Sequence, residues 1–104
     1  MTVTKAELVN ILADSTGLSK SEIEVVISSF LVHIIDSLEN GDRVEIRGFG
    51  SFFAKERAQR LVKNPRTSET VTVERRFVPV FRPAKHFRES VNHSRITREE
   101  KPST

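Results

Sequence analysis

Two runs of strand-like residues, 51–61 and 70–80, are joined by a short segment that contains Asn64-Pro65. Such runs are typical of β-strands and Asn-Pro is typical of a turn, so together they predict a β-hairpin. The middle of each run, residues 55–60 and 72–76, is charged and has little apolar content. A strand pair without an apolar face cannot cover a core. We therefore expect the hairpin to project into solvent as an arm over about residues 54–76.

Charge is distributed unevenly along the chain. Residues 1–46 carry three basic and eight acidic side chains, whereas residues 47–104 carry fourteen basic and six acidic ones. The arm, over residues 55–76, has seven basic against three acidic residues. A basic two-stranded ribbon can follow a groove of duplex DNA. The alternative, a hairpin that is merely solvated by its charges, would tolerate mixed charge, so the excess of positive charge favours a DNA partner.

Two helices are predicted before the arm. Capping boxes at Thr4 and Ser19 begin them, Gly17 ends the first, and the second runs to Glu39. Apolar residues of the second helix cover well over one narrow stripe, which predicts burial by the first helix and by a partner subunit. A helix-turn-helix interpretation is rejected, because residues 19–39 carry one basic and four acidic groups and would repel phosphates.

Beyond Asp42 the hydrophobic period changes to two. Residues 43–47 alternate charged and aliphatic side chains, which predicts a short strand, and Gly48-Phe49-Gly50 predicts a tight turn that directs its Phe into the core. A short helix is expected over residues 84–91, with Phe87 and Val91 facing inward. Residues 93–104 are polar and aperiodic, which predicts a disordered tail. The expected fold is α+β, with one domain over residues 1–92, a short antiparallel sheet, a protruding hairpin arm and an intertwined dimer.

The residue inventory argues against several functional classes. The chain has no Cys, three scattered His residues and no glycine-rich phosphate loop, so neither an enzyme nor a metal or cofactor site is expected. The longest apolar run, residues 30–32, is far shorter than the ~20 residues that span a bilayer. The N-terminal residues lack the apolar core of a signal peptide. We expect no membrane partner and a cytoplasmic location.

Two local features have alternative interpretations. Pro65 either only makes the turn or provides a rigid apolar wedge that enters a base step of DNA. Glu45 and Arg47 lie two residues apart on one face of the predicted strand. They form either an exposed ion pair or a unit in which Glu45 holds Arg47 for insertion into a narrow minor groove. Spacing alone favours the exposed ion pair.

Three motifs resemble those of a known family. Arg47-Gly-Phe-Gly-Ser-Phe52, Lys63-Asn-Pro-Arg-Thr67 and Val78-Pro-Val-Phe-Arg-Pro-Ala-Lys85 are similar, in this order, to motifs of the HU and integration host factor DNA-bending proteins. Residues 43–50 are most similar to the β-type subunits of integration host factor. The chain departs from the family pattern at Ser68, where Gly is usual, and in its longer tail.

The resemblance implies a saddle-shaped dimer whose two arms embrace the minor groove of double-stranded DNA, with Pro65 as the intercalating residue and Arg47, supported by Glu45, in the groove. The expected DNA-binding residues are Glu45, Arg47, Lys55, Arg57, Arg60, Lys63, Asn64, Pro65, Arg66, Arg75, Arg76, Arg82 and Lys85. The function implied is nucleoid-associated architecture, either nucleoid organisation or the assembly of nucleoprotein complexes. An RNA-binding module and a pure dimerisation scaffold are alternatives. Homodimer or heterodimer, and specific or non-specific binding, stay open.

Overall fold

A computed structural model describes residues 1–100, and the chain divides into two compact units, residues 1–36 and the part from Ser37 onward. The elements in chain order are α1 (Lys5–Thr16), α2 (Lys20–Glu39), β1 (Val44–Ile46), β2 (Gly50–Arg57), β3 (Arg60–Lys63), β4 (Thr70–Val73), β5 (Arg76–Pro83) and α3 (Lys85–Glu100). The predicted α+β class and the order of its elements are confirmed.

The helix ends follow the capping chemistry of the sequence. The Thr4 hydroxyl accepts a hydrogen bond from the Glu7 backbone N–H at 3.2 Å, and Gly17 ends α1 in the left-handed region at φ 76°. At the start of α2, the Ser19 hydroxyl accepts from the Glu22 N–H at 3.1 Å, while the Ser19 N–H donates to the Glu22 carboxylate at 3.4 Å. Both predicted capping positions are confirmed.

One chain buries little of its apolar surface. Among residues 1–100, the buried hydrophobic side chains are Val9 of α1 and Ile23 of α2, each 6% exposed. Many other apolar side chains of these helices stay exposed, among them Leu8, Ile11, Leu12, Val26, Phe30, Leu31 and Ile35. The wide apolar face predicted for the second helix is therefore largely uncovered within a single chain.

The second unit contains a three-stranded antiparallel sheet in the order β1-β2-β5. Val44 pairs with Phe52, which pairs with Phe81, so these residues share one face. The turn between β1 and β2 has Gly48 at φ 83° and adds Phe49 to the same cluster, 5.2 Å from both Phe81 and Phe87 between ring centroids. Phe87 belongs to α3, so this helix packs on the apolar face of the sheet, as predicted for Phe87. Phe49 joins the ring cluster but stays 43% exposed in the single chain, so its predicted burial is not reached.

The arm is a separate two-stranded sheet. β3 pairs with β4 from Arg60↔Val73 to Lys63↔Thr70, and every residue of β3 is exposed. Residues 58–59 and 74–75 interrupt both sides between the arm and the main sheet. The predicted long strands are therefore wrong in one respect, because each is broken in two. The hairpin itself forms as expected.

The C-terminal helix is longer than the sequence predicted. α3 continues through Glu100, so the disorder predicted for the tail is wrong for residues 93–100, and residues 101–104 lie outside the described part. Val91, predicted to face inward, is exposed in the single chain. Arg and Glu have high helix propensity, and adding turns to a helix already packed through Phe87 needs no new nucleus. No helix within residues 1–100 is long and apolar enough to cross a membrane.

Candidate nucleic-acid interface

The main sheet has a basic face opposite its apolar one. The β2–β5 register pairs Ser51 with Arg82, and Arg57 with Arg76, and alternation places Lys55 on the same face. Within residues 1–100, none of these four cations has an acidic side chain within ion-pair distance. Unpaired guanidinium and ammonium groups on one surface favour an anionic ligand.

Three arginines meet where the arm joins the sheet. Arg57, Arg60 and Arg76 line one groove, together with Ala58 and Gln59 of the β2–β3 interruption. In the described part of the chain, no acidic residue lines this groove. Planar guanidinium groups donate two parallel hydrogen bonds to a phosphate, so this groove is suited to the backbone of a nucleic acid. The interruption that contributes Ala58 and Gln59 to this groove was not predicted from the sequence.

The arm tip is a hydrogen-bonded turn with Pro65 in it. The Asn64 side-chain oxygen accepts from the Arg66 N–H at 2.9 Å, and the Asn64 carbonyl accepts from the Ser68 N–H at 2.8 Å. The Asn64 N–H donates to the Glu69 carbonyl at 2.8 Å and closes the hairpin. Pro65, Arg66 and the β3 residue Lys63 are exposed. The turn therefore presents an apolar ring beside two cations.

Ser68 adopts the conformation that glycine usually supplies. Its φ is 62°, and it is the non-glycine residue with positive φ among residues 1–100. The left-handed region costs an L-residue roughly 1–2 kcal/mol relative to its right-handed counterpart. Ser68 therefore holds this turn in a backbone conformation that favours glycine.

Glu45 does not form an ion pair with Arg47, which both interpretations of the sequence gave as its partner. Its carboxylate lies 3.3 Å from Nε of Arg43. Arg47 follows β1 in the turn and lines a groove with Glu45, Ser51 and Arg82. The predicted Glu45–Arg47 ion pair is wrong in this structure, because the strand ends at Ile46 and Arg43 is the nearer cation. Insertion of Arg47 into a groove stays a prediction.

Two other predicted contacts already have acidic partners. Arg75 forms an ion pair with Glu56 and lies 5.1 Å from the Phe77 ring centroid. Glu56 and Phe77 pair with each other, on the face opposite Arg57 and Arg76. Lys85 begins α3, where its ammonium is 3.9 Å from the Glu89 carboxylate in an exposed pair. The structure therefore separates Arg75 from the basic face and leaves Lys85 accessible.

Two residues of the basic face, Arg43 and Phe53, were not predicted from the sequence. Arg43 and Arg82 each place their guanidinium carbon 5.1 Å from the ring centroid of Phe53. The alternation of residues 43–47 puts Arg43 on the face of Arg47, which was a usable signal. Phe53 could not be connected to either arginine without the strand register. Within residues 1–100, no three His, Asp or Glu side chains are grouped so that they could hold a metal ion.

A basic sheet face that continues into an exposed basic β-ribbon defines a nucleic-acid-binding class of protein. A family model described as "Bacterial DNA-binding protein" matches residues 3–92. The chain belongs to this family, that of HU and integration host factor, whose members are non-enzymatic architectural proteins that bind DNA. The family resemblance of the three sequence motifs is confirmed.

Individual relatives agree with this assignment. The chain is 46% identical to the integration host factor subunit beta of Marinomonas sp. (strain MWYL1), over 86% of this chain and 89% of that protein. It is 47% identical to the same subunit of Vibrio atlanticus, over 86% and 97% of the two chains. Among solved structures, an Anabaena HU–DNA cocrystal structure matches with a TM-score of 0.80 and 37% identity, over 86% of this chain and 97% of that one. HU from Thermotoga maritima matches with a TM-score of 0.62 and 27% identity, over 86% and 98%.

Proposed function

We propose that this protein acts as a dimer that grips duplex DNA with two arms in the minor groove and bends it by inserting Pro65 between base pairs. The observation that carries the proposal is the continuous basic surface, from Arg82 on the sheet through the arginine groove to the exposed tip at Pro65. The solved Anabaena HU structure contains DNA, which supports the same partner for this chain.

Dimer formation is supported by the apolar surface that one chain leaves open. The half-exposed side chains of α2 include Phe30, Leu31 and Ile35. The second unit has a further apolar groove, lined in part by Phe81, Phe87 and Val91. Exposed apolar area of this extent marks an association surface, and a short chain gains a core by sharing one. Two copies interlocked through these surfaces give a saddle with one arm on each side.

Affinity is proposed to come mainly from phosphate neutralisation. Each cation that contacts a phosphate releases condensed counterions, which makes binding strongly dependent on salt. The cations proposed for this role are Lys55, Arg57, Arg60, Lys63, Arg66, Arg76, Arg82 and Lys85. Arg75 is left out of this set, because its guanidinium is paired with Glu56 and lies over Phe77, on the face opposite Arg57 and Arg76.

Bending is proposed to come from Pro65. The ring is rigid and apolar and has no N–H, so it can enter a base step without leaving a donor unpaired. Unstacking costs a few kcal/mol per step and is offset by the longer DNA path that the bend brings against the sheet. Asn64 sets the turn that presents the ring, through its hydrogen bonds to Arg66 and Ser68.

Sequence preference is proposed to depend on Arg47. It lies in the β1–β2 turn without an acidic partner within ion-pair distance in residues 1–100, since Glu45 is engaged by Arg43. A narrow minor groove has an enhanced negative potential that attracts an inserted arginine. Glu45 then acts on the interface through Arg43. The bend would serve nucleoid organisation or nucleoprotein assembly in the cytoplasm.

A binding comparison tests the proposed function. The full chain is titrated into three labelled ligands of equal length: nicked duplex DNA, intact duplex DNA and A-form RNA duplex. We expect the tightest binding to nicked DNA, because a nick lowers the cost of kinking, and the weakest to RNA, whose deep narrow major groove and wide shallow minor groove do not fit the arms. Equal affinity for all three would refute groove binding with bending, and a preference for RNA would assign the protein to RNA.

A further inference from the structure

An aromatic ring lies between two arginines on the basic face of the sheet. Phe53 of β2 pairs with Val80, and Arg82 lies two residues further along β5, so it is the diagonal neighbour of Phe53. Arg43 approaches from the other side of β2, just before β1 begins. Both guanidinium carbons lie 5.1 Å from the Phe53 ring centroid.

This arrangement fixes two side chains that are otherwise flexible. The negative face of an aromatic ring attracts a cation within about 6 Å of its centroid, and arginine is the commoner partner. The Glu45 carboxylate, 3.3 Å from Arg43 Nε, holds that guanidinium from a second direction. A guanidinium that stacks on a ring keeps its N–H groups in its own plane, where they can still donate to a phosphate.

We infer that Phe53 is a positioning residue that holds Arg43 and Arg82 as a pair for binding DNA phosphodiesters. The inference rests on the proposed DNA-binding function and adds Arg43 to the interface. It is supported by the common face that Phe53 shares with Lys55 and Arg57 further along β2. Ordering a long, flexible side chain on binding costs free energy, and Phe53 removes part of that cost before DNA arrives.

The opposite face of the sheet supplies a matched control. Arg75 lies over Phe77 at the same 5.1 Å and pairs with Glu56 as Arg43 pairs with Glu45, but Phe77 lies on the face opposite the basic one. Phe53→Leu and Phe77→Leu therefore remove the same ring and the same kind of contact. Only the first disturbs cations that are assigned to phosphates.

The experiment measures the affinity of the full chain for a short labelled duplex at fixed salt. Because Phe53→Leu leaves two arginine side chains to be ordered on binding, it should weaken binding by about 5- to 30-fold per subunit. Phe77→Leu and Phe53→Tyr, which keeps the ring, should retain wild-type affinity. Equal losses for Phe53→Leu and Phe77→Leu, or wild-type affinity for Phe53→Leu, would overturn the inference.

A double-mutant cycle separates positioning from a structural role. If Phe53 acts through the arginines, Phe53→Leu should have no further effect in an Arg43→Ala/Arg82→Ala background. An undiminished loss in that background would show that Phe53 acts otherwise and would refute the inference. Thermal unfolding checks that the variants are folded. If Phe53→Leu does not fold, Phe53→Met serves as a second variant that lacks the ring. Failure of wild type to bind DNA would instead refute the proposed function.

Discussion

Leu31 of α2 tests whether two copies share a core. Its side chain is 45% exposed in the single chain, and that of its neighbour Val32 is 51% exposed. The side chains of Leu31 and Val32 point in different directions, because successive residues of a helix are rotated by about 100°. Of the two, Leu31 lies on the apolar stripe with Ile27 and Leu38. A dimer that covers the stripe buries Leu31 and leaves Val32 in water.

The two substitutions should therefore differ widely in their effect on stability. Leu→Ala in a filled core costs about 2–5 kcal/mol, and a dimer contains two such sites. For a unit of this size each kcal/mol lowers the melting temperature by roughly 2–4 °C, so Leu31→Ala in both subunits should lower it by about 8–40 °C. Val32→Ala, as a surface substitution, should change the free energy of unfolding by less than about 0.5 kcal/mol.

Thermal unfolding followed by circular dichroism measures both effects, and dilution provides an independent check. A dimer of two 104-residue chains unfolds with an enthalpy of about 145 kcal/mol, from ~0.7 kcal/mol per residue. Its melting temperature should then rise by about 3–4 °C for each tenfold increase in concentration. Equal small shifts for both variants, with a melting temperature independent of concentration, would refute the shared core.

Three further results are expected. In titrations at several salt concentrations, a plot of the logarithm of DNA affinity against the logarithm of salt concentration should have a slope of about −5 to −10 for a two-armed dimer. Arg60→Ala or Lys63→Ala should make this slope shallower by about 1 per lost phosphate contact. A wild-type slope near −2 would exclude wrapping of the DNA. Arg47→Ala should lose about 1–3 kcal/mol on a preferred site and much less on random DNA, and equal losses in competition binding would make Arg47 an ordinary phosphate contact. Gly50→Ala should destabilise the fold by about 1–3 kcal/mol, because its Cβ would lie 2.5 Å from the Arg82 carbonyl oxygen. An unchanged melting temperature would contradict that contact.

Local chemistry in the sequence predicted the framework of the fold. The caps at Thr4 and Ser19 and the left-handed Gly17 act within one turn of chain, so spacing alone reveals them. The low apolar content of the arm likewise predicts that its side chains are exposed to solvent. The extent of α3 was missed because periodicity was used to detect helices, and an exposed helix extension has no apolar period to detect.

The partners of the basic residues required the strand register. Period two assigns Glu45 to a face, but whether its carboxylate meets Arg43 or Arg47 depends on where β1 ends. Phe53 reaches Arg82 only because β2 and β5 pair Ser51 with Arg82. In the same way, the sequence shows Arg75 only as a cation, whereas its pairing with Glu56 of β2 depends on how the interruption at residues 74–75 lies beside that strand.

Bending by Pro65 is the central claim, and Pro65→Ala tests it most directly. Pro79→Ala is the matched control, since Pro79 is exposed on β5 away from the tip. The bend is measured by energy transfer between the ends of a short labelled duplex. Because each wedge kinks DNA by roughly 20–90°, Pro65→Ala should clearly reduce the bend, while Pro79→Ala keeps it. The cations Arg60, Lys63 and Arg66 remain, so affinity for intact DNA and its salt slope should change far less. A bend angle unchanged by Pro65→Ala would contradict intercalation and leave Pro65 as a turn residue.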